Sequence, residues 1–138
     1  MLKKDRPINH LDKLEQSFLI STPIVLALIG CGYLINPLFY PHIFEFSFNN
    51  INANNIYRAV GALYLSFCVF WLMSTKIPSW RMTAILSIGT LMSGLAVGRL
   101  ISLTIDGVPH WLILIFLVGE VLTAAVAFVI YKLKYSSM

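Results

Sequence analysis

"HWLILIFLVGEVLTAAVAFVIY", residues 110–131, decides how this chain folds. Glu120 is the single residue among Asp, Glu, Lys and Arg in that run. At ~1.5 Å per residue a helix of this length covers ~33 Å, enough to cross ~30 Å of hydrocarbon. Lipid offers the backbone no hydrogen-bond partner, so a spanning segment satisfies itself as a helix. Three more runs read the same way: "FLISTPIVLALIGCGYLINPL" (18–38), "NIYRAVGALYLSFCVFWLM" (55–73) and "WRMTAILSIGTLMSGLAVGRLISLTI" (80–105). The chain is 58% hydrophobic and 12% charged, against roughly 25% charged in soluble domains. The expected fold is all-α: a polytopic membrane protein whose four transmembrane helices form one antiparallel bundle. The domain spans 1–138, with helices over about 12–38, 55–73, 80–105 and 109–132 and a loop over 39–54.

The charges orient the bundle. Lys3, Lys4, Arg6 and Lys13 precede the first run, Lys76 and Arg81 lie between the second and third, and Lys132 and Lys134 follow the fourth. The first and third connections carry no Lys or Arg, only Glu45 and Asp106. The positive-inside rule then places both termini in the cytoplasm. Trp71 and Trp80 fall near the inner interface and Trp111 near the outer one, as in an aromatic belt. The basic residues sit in short flanks without interleaved aromatics, which argues against nucleic acid. Cys31 and Cys68 lie in apolar runs with no CxxC and read as small apolar residues. The first run is too long for the core of a cleaved signal peptide, and no A-x-A site follows it.

Before the first run, "NHLDKLEQSF" (9–18) places Leu11, Leu14 and Phe18 on one face, with Asn9 as an N-cap and Asp12 in the first turn. The helix is therefore expected to begin early, along the inner surface, and to bend at Pro23. In the first connection, "IFEFSF" (43–48) alternates like a strand or lays aromatics in the interface. "NNINAN" (49–54) reads as turn material capping the second helix.

Arg58, Arg99 and Glu120 are charges inside apolar runs, where an Arg or Asp costs roughly 2.5–3.5 kcal/mol at mid-helix. Such residues face a bundle interior or a wet cavity. Both arginines fall in the outer half. Side chains tilt toward their helix N-terminus, so Arg99 leans inward and Glu120 outward, and the two should meet at the base of an outward-opening pocket. Ser87, Thr90, Gly94, Gly98 and Ser102 make a seam of small residues containing a GxxxG, which lets helices approach closely. Glu120, Thr123, Ala124 and Ala127 share a face, as do Tyr57, Gly61, Tyr64 and Cys68. The expected lining is Tyr57, Arg58, Tyr64, Arg99, Ser102 and Glu120, with Asn55, Asp106 and His110 as accessory residues. Two arginines against one deep carboxylate leave one cation over, which invites a carboxylate or phosphate. Equally, Arg99–Glu120 can be a purely structural pair that fixes helix register, Arg58 can snorkel to the interface, and Asp106 can neutralise the spare charge.

"DGVP" (106–109) reads as a turn that ends the third helix and starts the fourth. His42, Glu45, Asp106 and His110 share the outer side but lack HExxH-type spacing, so no metal is expected. GxSxG, P-loop, GxGxxG and paired-histidine signatures are missing, and no cofactor is called for.

"NIYRAVGALYL" (55–65), followed by "GLAVGRLISLTIDGVP" (94–109) and a glutamate a dozen residues on, resembles a bacterial family of small four-helix membrane proteins known as domain of unknown function 4345. The resemblance runs over about 14–133 and matches at Asn55, Tyr57, Arg58, Gly61, Gly98, Arg99, Ser102, Asp106, Gly107, Pro109 and Glu120. Ala62 stands where a second glycine is usual. The resemblance implies the four-helix membrane fold and supplies no activity. The residues themselves suggest a multi-pass inner-membrane protein that binds or transports a small anionic or amphiphilic molecule, and the resemblance implies that the membrane is bacterial. In that reading Arg58 and Arg99 are anion partners and Glu120 is a counter-ion or proton acceptor. A non-catalytic accessory or oligomer-forming subunit using the small-residue seam is the second reading. An enzyme acting on lipid or quinone head groups is the third.

Overall fold

The computed structural model describes residues 10–35 and 51–136. Asn9, His42, Glu45 and most of the 39–54 connection lie outside them. Four long helices follow in order: α1 (His10–Ile35), α2 (Ile51–Lys76), α3 (Arg81–Ile105) and α4 (Trp111–Tyr135), with a 3₁₀ turn at Pro78–Trp80 between α2 and α3. All four are long and apolar enough to cross a membrane. Among the described residues there is no strand. Several boundaries differ from the sequence reading. α2 already includes Ile51–Asn54, read above as turn, because asparagine is tolerated in a first turn whose N–H groups lack intrahelical partners. α4 runs on through Lys132 and Lys134, whose charges favour a helix C-terminus. α1 continues through Pro23, which is buried against α2, where its carbonyl accepts from Cys68 Sγ at 3.3 Å.

The bundle is two tight helix pairs, α1 with α2 and α3 with α4, and the two pairs touch each other far less. Glycine sets the closeness within the first pair. A Cβ on Gly61 would lie 2.7 Å from the Gly30 carbonyl oxygen. In the second pair Gly89 admits the Phe128 ring, 3.0 Å from where its Cβ would be. The pairs join mainly at the end of the bundle that carries His10, Lys76 and Tyr135, here the terminal end. Leu19, Trp71, Ala84, Ile85, Ile88, Ala127 and Ile130 are buried there. Trp71, read above as an interfacial anchor, is instead fully buried and donates from Nε1 to Ser87 Oγ at 2.9 Å. Trp80 and Trp111 remain exposed. Burying an indole requires a partner for its N–H, and Ser87 on α3 supplies it.

The expected small-residue seam splits. Ser87 is used inside the chain, but a Cβ added at Gly94 or Gly98 meets nothing within 4 Å. That GxxxG therefore brings no other described helix close. Since neither glycine has a positive φ, Gly94→Ala and Gly98→Ala should each stabilise the isolated chain by about 0.5–1 kcal/mol through helix propensity. Unfolding in detergent measures this, and a loss in either variant contradicts the open placement.

Candidate functional site

Arg99 on α3 and Glu120 on α4 meet as their depth and tilt predict. Arg99 Nε donates to both carboxylate oxygens, at 2.8 and 2.9 Å. Glu120 is nearly buried, with 10% of its side chain exposed, against 27% for Arg99. The guanidinium lies 5.8 Å from the centre of the Phe116 ring. Because the pair is made through Nε, the terminal nitrogens of Arg99 have no hydrogen-bond acceptor among the described residues. These nitrogens carry four of the five guanidinium N–H donors, in the fork that grips carboxylate or phosphate.

The pair stands between two openings. Arg99 lines a groove of about 430 Å³ between α3 and α4, together with Gly94, Gly98, Ser102, Pro109 and Leu114. Glu120 lines a second cavity, of about 480 Å³, between α1 and α4. Each member of the ion pair thus presents itself to a different space.

The structure brings together part of the expected lining. Tyr64 is buried and lies within electrostatic reach of both Arg99 and Glu120. Ser102 shares the groove with Arg99, but its hydroxyl donates to Asp106 Oδ2 at 2.7 Å. Asp106 ends α3, with its N–H bonded to the Ser102 carbonyl at 2.7 Å. Gly107 follows at φ +100°, a left-handed conformation that only glycine adopts without strain. His110 caps α4, Nδ1 accepting from Leu112 N at 3.4 Å. Tyr57 and Arg58 are turned toward α1. The Tyr57 ring lies 5.3 Å from that of Tyr33, and Arg58 Nη1 donates to the Leu34 carbonyl at 2.5 Å. Asn55 is exposed in the second turn of α2.

The sequence reading missed a second charged cluster, at the terminal end. Glu15 is fully buried on α1. It accepts from Lys134 Nζ at 2.6 Å and from the Tyr135 hydroxyl. Arg81 Nη1 stands 3.7 Å away. Lys134 also donates to Asp12, at 2.5 Å. Arg81 is held by Nη2 on the Thr75 carbonyl at 2.9 Å, and its buried Nε has no partner among the described residues. Two carboxylates balance two cations here, so the cluster is a neutral clasp binding α1 to α3 and α4. A signal was present in the sequence: Glu15, Leu19, Pro23, Leu26 and Gly30 recur at helical spacing and are the buried face of α1. Leu14, placed on the apolar face above, is half-exposed instead.

A family model described as domain of unknown function (DUF4345) matches residues 14–131. No curated protein matches the chain. No solved structure matches it.

Proposed function

We propose a binding role at the Arg99–Glu120 site for this chain, which belongs to the DUF4345 family: it holds an amphiphilic molecule whose anionic head, a carboxylate or phosphate monoester, sits on the Arg99 fork. One observation carries this reading. Arg99 spends only Nε on Glu120 and leaves its terminal donors unengaged among the described residues, on a groove lined by Gly94 and Gly98. Unmatched donors near hydrocarbon are costly, and an anionic head matches them. Arg58, bound to α1, is outside this groove. The positive-inside rule supports a cytoplasmic Lys- and Arg-rich terminal end, and with it a site in the outer half of the membrane.

The test is equilibrium binding of oleate to the purified protein in nanodiscs of zwitterionic lipid. Arg99→Lys keeps the charge but loses the fork, and should weaken binding about tenfold or more. Gly98→Leu fills the groove and should abolish binding. Oleate affinity unchanged in both variants refutes the proposal.

The same open Gly94–Gly98 seam favours a second reading, an accessory or oligomer-forming subunit in which Arg99–Glu120 is structural. Wild type that is dimeric in nanodiscs, together with monomeric Gly98→Leu and no oleate binding by either, would establish it.

A further inference from the structure

The cavity between α1 and α4 is distinct from the Arg99 groove, and its chemistry differs. Phe18, Val25, Leu26, Ile29, Met92 and Phe116 supply an apolar wall, and the volume of about 480 Å³ is within the roughly 300–1,000 Å³ of small-molecule sites. Its polar lining residues are Ser21, Thr22, Glu120 and Thr123. Several hydroxyls on these helices are spent on their own backbone. Ser66 and Thr90 bond the carbonyl four residues back, and Thr75, Ser87 and Thr104 the one three back. Thr22 and Thr123 make no hydrogen bond among the described residues, and Ser21 makes only a long one of 3.5 Å. A hydroxyl facing hydrocarbon without a partner is unfavourable, and a polar head within the cavity would match these groups.

The Glu120 carboxylate decides what that is. An ionised carboxylate is an acceptor with about four lone-pair positions, and Arg99 uses two of them. No lysine or arginine lines this cavity. An anionic head would meet the Glu120 carboxylate with no further cation in the cavity to receive it, Arg99 being already paired with that carboxylate. A cationic head would gain little, because Arg99 already neutralises Glu120. An uncharged head with an O–H donor satisfies both the carboxylate and the threonines. We infer that the α1–α4 cavity is a second site, entered sideways from the bilayer, for an uncharged long-chain alcohol lipid whose hydroxyl donates to Glu120 and whose chain lies along Phe18–Ile29.

The experiment uses oleyl alcohol carrying a mid-chain diazirine, in phosphatidylcholine nanodiscs with the full-length protein. Photolabelling should fall on peptides of α1 and α4 that line the cavity. Free oleyl alcohol should compete, and oleate and octadecene should not. Gly119 lines the cavity, and a Cβ there meets nothing within 4 Å, so Gly119→Leu should grow into the cavity and abolish labelling. Thr123→Val, nearly isosteric, should reduce it severalfold. Gly98→Leu, which blocks the other groove, should leave it unchanged, so the two sites fail or stand separately. Equal labelling by a hydroxyl-free diazirine chain, or undiminished labelling in Gly119→Leu, overturns the inference and marks the contact as ordinary lipid.

Discussion

Glu15→Ala should lower the unfolding free energy by about 3 kcal/mol, among the largest effects of any single substitution in this chain. The carboxylate is fully buried and is shared by Lys134, Tyr135 and Arg81, from two other helices. Removing it leaves two cations near the core with Asp12 as their remaining carboxylate in the cluster, and Asp12 is bonded to Lys134 alone of the two. Breaking a buried pair costs about 3–5 kcal/mol. The lower figure applies because the side chains of Lys134 and Arg81 keep 21% and 22% of their exposure and can turn toward solvent. Glu15→Gln should cost less, since its amide oxygen can still accept from Tyr135. The double variant Glu15→Met with Lys134→Met should recover part of the loss, because much of the penalty comes from the stranded charge rather than from a lost attraction. Denaturation in detergent micelles of the four proteins checks this. A Glu15→Ala variant as stable as wild type would mean that the clasp does not hold α1 to the second helix pair.

Gly61→Val should cost about 2–3 kcal/mol, by overpacking where α1 and α2 approach closely. A Cβ at 61 would stand 2.7 Å from the Gly30 carbonyl oxygen and 2.9 Å from the Leu34 amide nitrogen. Both are backbone atoms, so no side-chain rotation relieves the clash and α1 must move away from α2. That movement also pulls Leu34 from Arg58 and Tyr33 from Tyr57. Gly98→Val, in an equally glycine-marked position with open space around it, should show no such loss. Comparing the two by unfolding separates glycines that this fold needs from those it does not. Equal effects at 61 and 98 would show that helix propensity, not helix contact, governs both.

The number of spans, their approximate limits and the meeting of Arg99 with Glu120 were all legible in the sequence. The reason is that hydropathy over some 20 residues and depth from a helix end are local quantities. Two residues at similar depth on adjacent antiparallel helices need only a shared face to meet. The split of the glycines was not legible. Gly61 and Gly98 look alike as small residues on helical stripes, yet one touches a neighbouring backbone and the other faces open space. Trp71 matched the pattern of an interfacial anchor and is core. Glu15, which carries no sequence motif that marks it out, is fully buried. Each of these outcomes depends on which helix faces meet: Gly61 is set within the first pair against Gly30, whereas Trp71 and Glu15 depend on how the two pairs join, through Ser87 and Tyr135. The sequence by itself determined which segments enter the membrane, because transfer into lipid is additive along a helix. Only the tertiary structure decided which faces of those segments meet, because inside lipid apolarity no longer distinguishes a neighbouring helix from the solvent, and close packing and paired charges do.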